Sequence, residues 1–255
     1  LLSNKYVSPK FPVRGVWISS STPLSNSSAI SRRLLETGHN TVVADSCSLN
    51  ETDIQELQNH KIQVTLTLAN TDAPFCPLDK AWSESIKKLF DTKSSAQAIL
   101  WTSGLLNSHF FRDPAARDAT LADLVRAEMR FLEKIIEKNK KLIFYIPTKD
   151  HTDATQQMHW LPALIDDAGP RTTIAFSAVA GEPTHDHLPL HPLWNFFRTD
   201  PIPSRTPLLP IINAGAVAQG GGLWPYVNID MLQHIHSRLN PLHFQGALHL
   251  APAFP

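Results

Sequence analysis

Charge of one sign is what this chain most plainly lacks. Its 255 residues carry 23 lysines and arginines against 23 aspartates and glutamates. No net field therefore draws it to nucleic acid or to an acidic membrane surface, and neither is expected as a partner. The longest basic run, Lys138-Asn139-Lys140-Lys141, is expected at the end of a helix, where cations complement the helix dipole. No stretch approaches the ~20 apolar residues of a membrane span, so none is expected to cross a bilayer. No basic-then-apolar leader opens the chain, and its start at Leu1-Leu2-Ser3 reads as a processed or excised piece. Cysteine is scarce. Cys47 and Cys76 follow neighbouring apolar runs and could lie close together, but two thiols define neither a disulfide nor a redox compartment. The G-x-S-x-G elbow of serine hydrolases is absent too.

What is present is alternation. Short apolar runs at 13–19, 41–44, 63–68, 98–102, 142–147, 172–178, 208–213 and 244–250 are followed by amphipathic stretches of helix length, or by the chain's end. The clearest helix is expected over 121–138, where Leu121, Leu124, Val125, Phe131, Leu132, Ile135 and Ile136 recur at helical spacing. Another is expected over 156–166, interrupted or restarted at Pro162. Parallel strands need long connections, and helices supply them. Eight such units in 255 residues predict one (β/α)8 TIM-type barrel spanning 1–255 and lacking its last helix. Either the N-terminal segment closes that barrel or the chain is cut from a longer protein.

A barrel reading places chemistry on the loops after the strands. Those positions carry Asp45, Asp72, Lys149, Asp150, Glu182 and Asn213, with Trp17, Trp101 and Trp224 at or near strand ends. Carboxylates facing one another across a mouth suit glycoside hydrolysis, and indole faces suit the apolar face of a sugar ring. His185-Asp186-His187, with His191 beyond, has the spacing of imidazole metal ligands, yet such pairs in barrel metallohydrolases usually follow the first strand. Lys149 could serve as a Schiff-base lysine if desolvated. Gly220-Gly221-Gly222 suits a phosphate cradle or a mobile lid equally. No metal or other cofactor is expected.

The segment Leu142-Ile143-Phe144-Tyr145-Ile146-Pro147-Thr148-Lys149-Asp150 resembles the strand-five turn of barrel glycoside hydrolases that remove N-acetylglucosamine, the O-GlcNAcase and hyaluronidase-like group. Asn213 and the Gly246-Ala247-Leu248-His249-Leu250 run are similar in style. That family carries two adjacent acids at the end of strand four, where this chain has Trp101-Thr102-Ser103. The resemblance implies a carbohydrate-active barrel that acts on or binds an amino-sugar glycan or glycoconjugate. Its carboxylates would then be Glu182 as general acid/base, with Asp45 or Asp150 as the second. Trp101 and Trp224 would stack the sugar, and Asn213 and Lys149 would bind it. The alternative is a non-catalytic barrel that binds a glycan or protein partner within a larger protein, alongside further domains.

Overall fold

The computed structural model describes residues 11–18, 27–46, 48–68, 80–90, 95–103, 120–148, 150–179, 190–195, 207–213, 215–216, 226–227, 229–239 and 244–251. Eight strands close a parallel barrel: β1 (Val13–Ile18), β2 (Thr41–Asp45), β3 (Gln63–Thr67), β4 (Ala98–Thr102), β5 (Lys141–Ile146), β6 (Thr172–Ser177), β7 (Leu208–Asn213) and β10 (Gly246–Ala251). Between them run α1 (Ser27–Glu36), α2 (Glu51–Asn59), α3 (Lys80–Phe90), α4 (Leu121–Ile135), α5 (His151–Gln157), α6 (Leu161–Asp167) and α7 (Ile229–Arg238). A two-stranded ribbon, β8 (Gly215–Ala216) with β9 (Tyr226–Val227), separates β7 from α7 and has no counterpart in the expected pattern. The barrel is the (β/α)8 architecture that the alternation predicts. Among the described residues no helix follows β10, and no helix is long and apolar enough to cross a membrane.

Register decides which side chains enter the barrel. The chain alternates, so Val43 on β2, Leu100 on β4, Ile143 on β5, Ala175 on β6, Ile211 on β7 and Leu248 on β10 meet inside as an apolar plug. The opposite faces of the same strands pack against the helices in two clusters. One joins β4–β7 to α3, α4 and α6, and the other joins β2 and β3 to α1 and α2. Both faces of most strands are thus apolar, which is why those strands read as continuous runs, while β3 turns Thr65 and Thr67 inward.

Helix ends follow side-chain chemistry. Asn50 and Thr120 each accept the N–H of an aspartate three residues on, whose carboxylate returns to the cap backbone, and these boxes start α2 and α4. The helix expected over 121–138 stops three residues early, because Ile136 turns to ψ 137° and leaves the helix. Lys138, Asn139 and Lys140 therefore lie in the turn before β5, which Lys141 opens, rather than on the helix, and the buried Lys140 ammonium meets Glu137 at 2.9 Å. Pro162 sits in the first turn of α6, where its missing N–H costs nothing, so the helix expected over 156–166 is two helices.

Candidate functional site

The last inward-facing residue of each strand forms a layer at the C-terminal mouth, directly above the apolar plug. Described members are Trp17 (β1), Asp45 (β2), Thr67 (β3), Thr102 (β4), Tyr145 (β5) and Ser177 (β6). β1 and β5 lie on opposite sides of the barrel, yet the Trp17 and Tyr145 rings meet edge to face with centroids 5.7 Å apart. They make an aromatic bar across the floor of the mouth. Asp45, Thr67 and Thr102 lie on one side of it and Ser177 on the other. The Trp17 indole N–H is buried and has no acceptor among the described residues. Such an orphan donor is uncommon in a native interior.

Each flank is hydrogen-bonded. Thr67 Oγ1 donates to Asp45 Oδ1 from the neighbouring strand, in register. The Tyr145 hydroxyl lies 3.0 Å from Ser177 Oγ, which also accepts the Thr148 N–H at 3.1 Å. Burial pushes the Tyr145 phenol above its ordinary value, and the Ser177 hydrogen bond opposes this only in part. Tyr145 therefore stays neutral and works as a hydrogen-bonding group rather than a base.

A relay holds the turn beneath Thr148. Its hydroxyl donates to Gln157 Oε1 at 3.1 Å, while Gln157 Nε2 donates to the Pro147 carbonyl at 3.0 Å. The same Oε1 meets His191 Nε2 at 3.1 Å, and His191 Nδ1 accepts the Leu193 N–H at 3.1 Å. That acceptance fixes the proton on Nε2 and engages both ring nitrogens, so His191 is closed to a metal. His185 and His187, its expected companions, lie outside the described residues. Among the described residues no group of three or more histidines, cysteines or acids is placed to hold a metal ion.

Burial, with a smaller push from His151, lowers the His191 pKa from 6.5 to about 4. The unfolded chain then takes up a proton near pH 6.5 that the folded chain refuses until about pH 4. This part of the stability is whole above pH 6.5 and is lost as the pH falls towards 4. We expect His191→Gln to make urea midpoints fall less steeply over that window. An equally steep fall in the variant would remove His191 from this role.

Of the residues expected to form the site, the structure brings Asp45 into the mouth. Asp150 is instead the N-cap of α5, accepting the Asp153 N–H at 2.9 Å, with its side chain at the surface. Trp101 corrects the expectation of a stacking platform. It is 1% exposed, facing outward between β4 and the helices, and its indole N–H donates to Glu128 Oε1 at 2.6 Å. Its face is closed to any sugar. Glu182, Lys149 and Trp224, like Asp72, Cys47, Cys76 and the 220–222 glycines, lie outside the described residues, as does the side chain of Asn213. Glu128 is absent from the residues the sequence singles out, yet it is a fully buried acid that also accepts Ser103 Oγ at 2.7 Å. The signal for it is a carboxylate on the apolar stripe of α4, between Leu124 and Leu132.

No protein-family model and no curated protein sequence matches this chain. Solved structures do match in shape. The glycoside hydrolase domain of PelA from Pseudomonas aeruginosa, as its E218A variant, is similar at 13% identity and a TM-score of 0.57, over 94% of this chain and 95% of that one. The GH53 catalytic domain of Ignisphaera aggregans is similar at 13% identity and a TM-score of 0.54, over 95% and 85%. A xylanase-α-amylase inhibitor protein, XAIP-III, is similar at 13% identity and a TM-score of 0.52, over 92% of each chain. At these identities the likeness is one of fold.

Proposed function

We propose that this chain is a carbohydrate-active barrel of the glycoside hydrolase type, taking an amino-sugar-containing glycan or glycoconjugate at its C-terminal mouth. The observation that carries the reading is the mouth layer itself. An aromatic floor, Trp17 with Tyr145, is edged by a carboxylate and hydroxyls. A sugar has the complementary form, an apolar C–H face and a rim of hydroxyls. The Trp17 N–H, without an acceptor among the described residues, is the donor this reading assigns to a ring substituent such as an acetamido or hydroxyl oxygen. The barrel's likeness to the PelA and GH53 hydrolase domains supports the same class. Trp17 takes the platform role first expected of Trp101. Glu182 acts as general acid/base, Asp45 is the second carboxylate, Trp224 stacks a second sugar, and Asn213 and Lys149 bind its polar groups.

Calorimetric titration with oligomers of N-acetylglucosamine and of galactosamine, with mass spectrometry of the mixtures, tests this. Saturable binding is expected, together with shortened products. Trp17→Phe keeps an aromatic floor but removes the N–H, so about tenfold weaker binding is expected for one lost hydrogen bond. Absence of both binding and cleavage across these oligomers would sink the reading.

A second reading has an observation of its own. Asp45 is the one acid in the described mouth layer, and Thr67 already engages it. The similarly shaped XAIP-III is, by name, an inhibitor of xylanase and amylase. A barrel that binds a glycan or a protein partner within a larger protein, without cleaving, would give binding and no products in the same experiment.

A further inference from the structure

At the opposite end of the barrel, a second cavity opens on the outside of the β1–β10 seam. It has a volume of about 220 Å³ and lies where the C-terminal ends of α1 and α7 approach the strands. Arg14, His39, His236 and His249 line it, and among the described residues no carboxylate does. His249 stands on the outer face of β10, in register with Val16 and Ile212. The rings of His236 and His249 stack at 5.2 Å and 18°, and His39 meets His249 edge-on at 6.1 Å. Three imidazoles and a guanidinium thus gather with no carboxylate among the described lining residues.

We propose that this cavity is a binding site for a small tetrahedral oxyanion, sulfate or a phosphate monoester, taken up together with protons on the histidines.

The local hydrogen bonds point this way. Thr37 Oγ1 gives its proton to the Arg33 and Leu34 carbonyls, so at 2.8 Å it accepts the His39 Nδ1–H. His39 Nε2 then carries a lone pair and can donate to an oxyanion only after gaining a proton. Arg14 Nε donates to the Gly38 carbonyl, so the helix C-terminus beside the cavity is partly neutralised before an anion arrives. Stacked rings are a poor arrangement for two cations, since like charges held that close repel. In agreement, burial first and then His236 and His39 hold His249 at a pKa of about 4, and burial lowers His39 and His236 as well, with Arg14 adding to the effect on His39. An anion among them removes the repulsion and returns each pKa towards its ordinary value. A metal fits less well, because parallel rings do not converge on one point.

The site is separate from the glycan reading, since it lies at the end of the barrel away from the mouth. Its test uses histidine Cε1–H resonances of the whole chain, titrated with sodium sulfate at constant ionic strength at pH 6 and pH 8. Sulfate keeps its charge over that range, so any pH dependence belongs to the protein. Saturable shifts of His39, His236 and His249 are expected at pH 6, with affinity at least ~10-fold weaker at pH 8 as proton uptake is lost. His236→Gln, on an exposed helical position, should fold normally and weaken sulfate at pH 6 by about tenfold. Methyl phosphate should compete with sulfate, and succinate should not. Shifts that fail to saturate, affinity independent of pH, an unaffected His236→Gln variant, or succinate competing equally would each overturn the assignment.

Discussion

Gly246→Ala is expected to lower stability by at least about 4 kcal/mol, or to leave no folded barrel. Gly246 has φ +147°, a backbone region that L side chains rarely adopt, and it stands opposite Val13 where β10 meets β1. A Cβ there would lie 1.7 Å from the Val13 carbonyl oxygen and 2.7 Å from its carbonyl carbon. Both are backbone atoms of the adjoining strand, so relief requires the strands to part. The Val13 N–H to Gln245 carbonyl bond, 3.0 Å, would part with them. This seam closes the barrel. Gly15→Ala meets Leu248 Cδ2 at 2.2 Å, the end of a flexible side chain, and should lose less. Gly38→Ala, at φ +76° with nothing within 4 Å, should cost only about 1 kcal/mol of backbone strain. Urea unfolding of the three variants ranks them. A Gly246→Ala barrel within about 1 kcal/mol of the parent would refute this account of the seam.

Much of that architecture is legible in the amino-acid order alone. The eight apolar runs coincide with the eight barrel strands to within a residue or two, because parallel strands buried on both faces are apolar over most of their length. The same continuity hides facing. Ile99, Leu100 and Trp101 are all apolar, so nothing in the run says that Leu100 points into the barrel and Trp101 out. Hence Trp101 reads as a platform from its run, whereas Trp17, two residues after the inward Gly15, is the one that faces the mouth. The strand-end acids divide in a similar way. Asp150 precedes Asp153 by the spacing of a helix cap, a signal present in the chain but outweighed by its place after β5. Asp45 has no such cap to make, and alternation from Val43 sends it inward. The relay from His191 to Thr148 joins residues 43 positions apart, a pairing that only the closed barrel produces.

Glu182→Gln is expected to reduce glycan cleavage by about 10²–10⁴-fold with little change in KM, the signature of a lost proton donor. Glycoside hydrolysis needs that donor and, in most families, a second carboxylate on the other side of the scissile bond. The proposed pair draws on barrel order: β2, which ends in Asp45, lies diametrically across from β6, and Glu182 follows β6 in sequence, five positions after Ser177. The Trp17–Tyr145 bar runs between β1 and β5, so a sugar resting on it would have β2 on one flank and β6 on the other. Asp45→Asn should therefore lower kcat by a similar factor while keeping an acceptor for Thr67. Asp150→Ala should leave kcat unchanged and lower stability by about 1 kcal/mol, as the loss of a helix cap does. The three variants separate chemistry from scaffold. A drop in kcat confined to Glu182→Gln and Asp45→Asn assigns the acid and its partner. A loss following Asp150→Ala instead would transfer the second carboxylate's role to α5, and full activity in Glu182→Gln would end its claim as proton donor. Retained glycan binding in an inactive parent chain would leave the mouth a lectin-like cradle, with Thr67 holding Asp45 as a fixed acceptor for sugar hydroxyls.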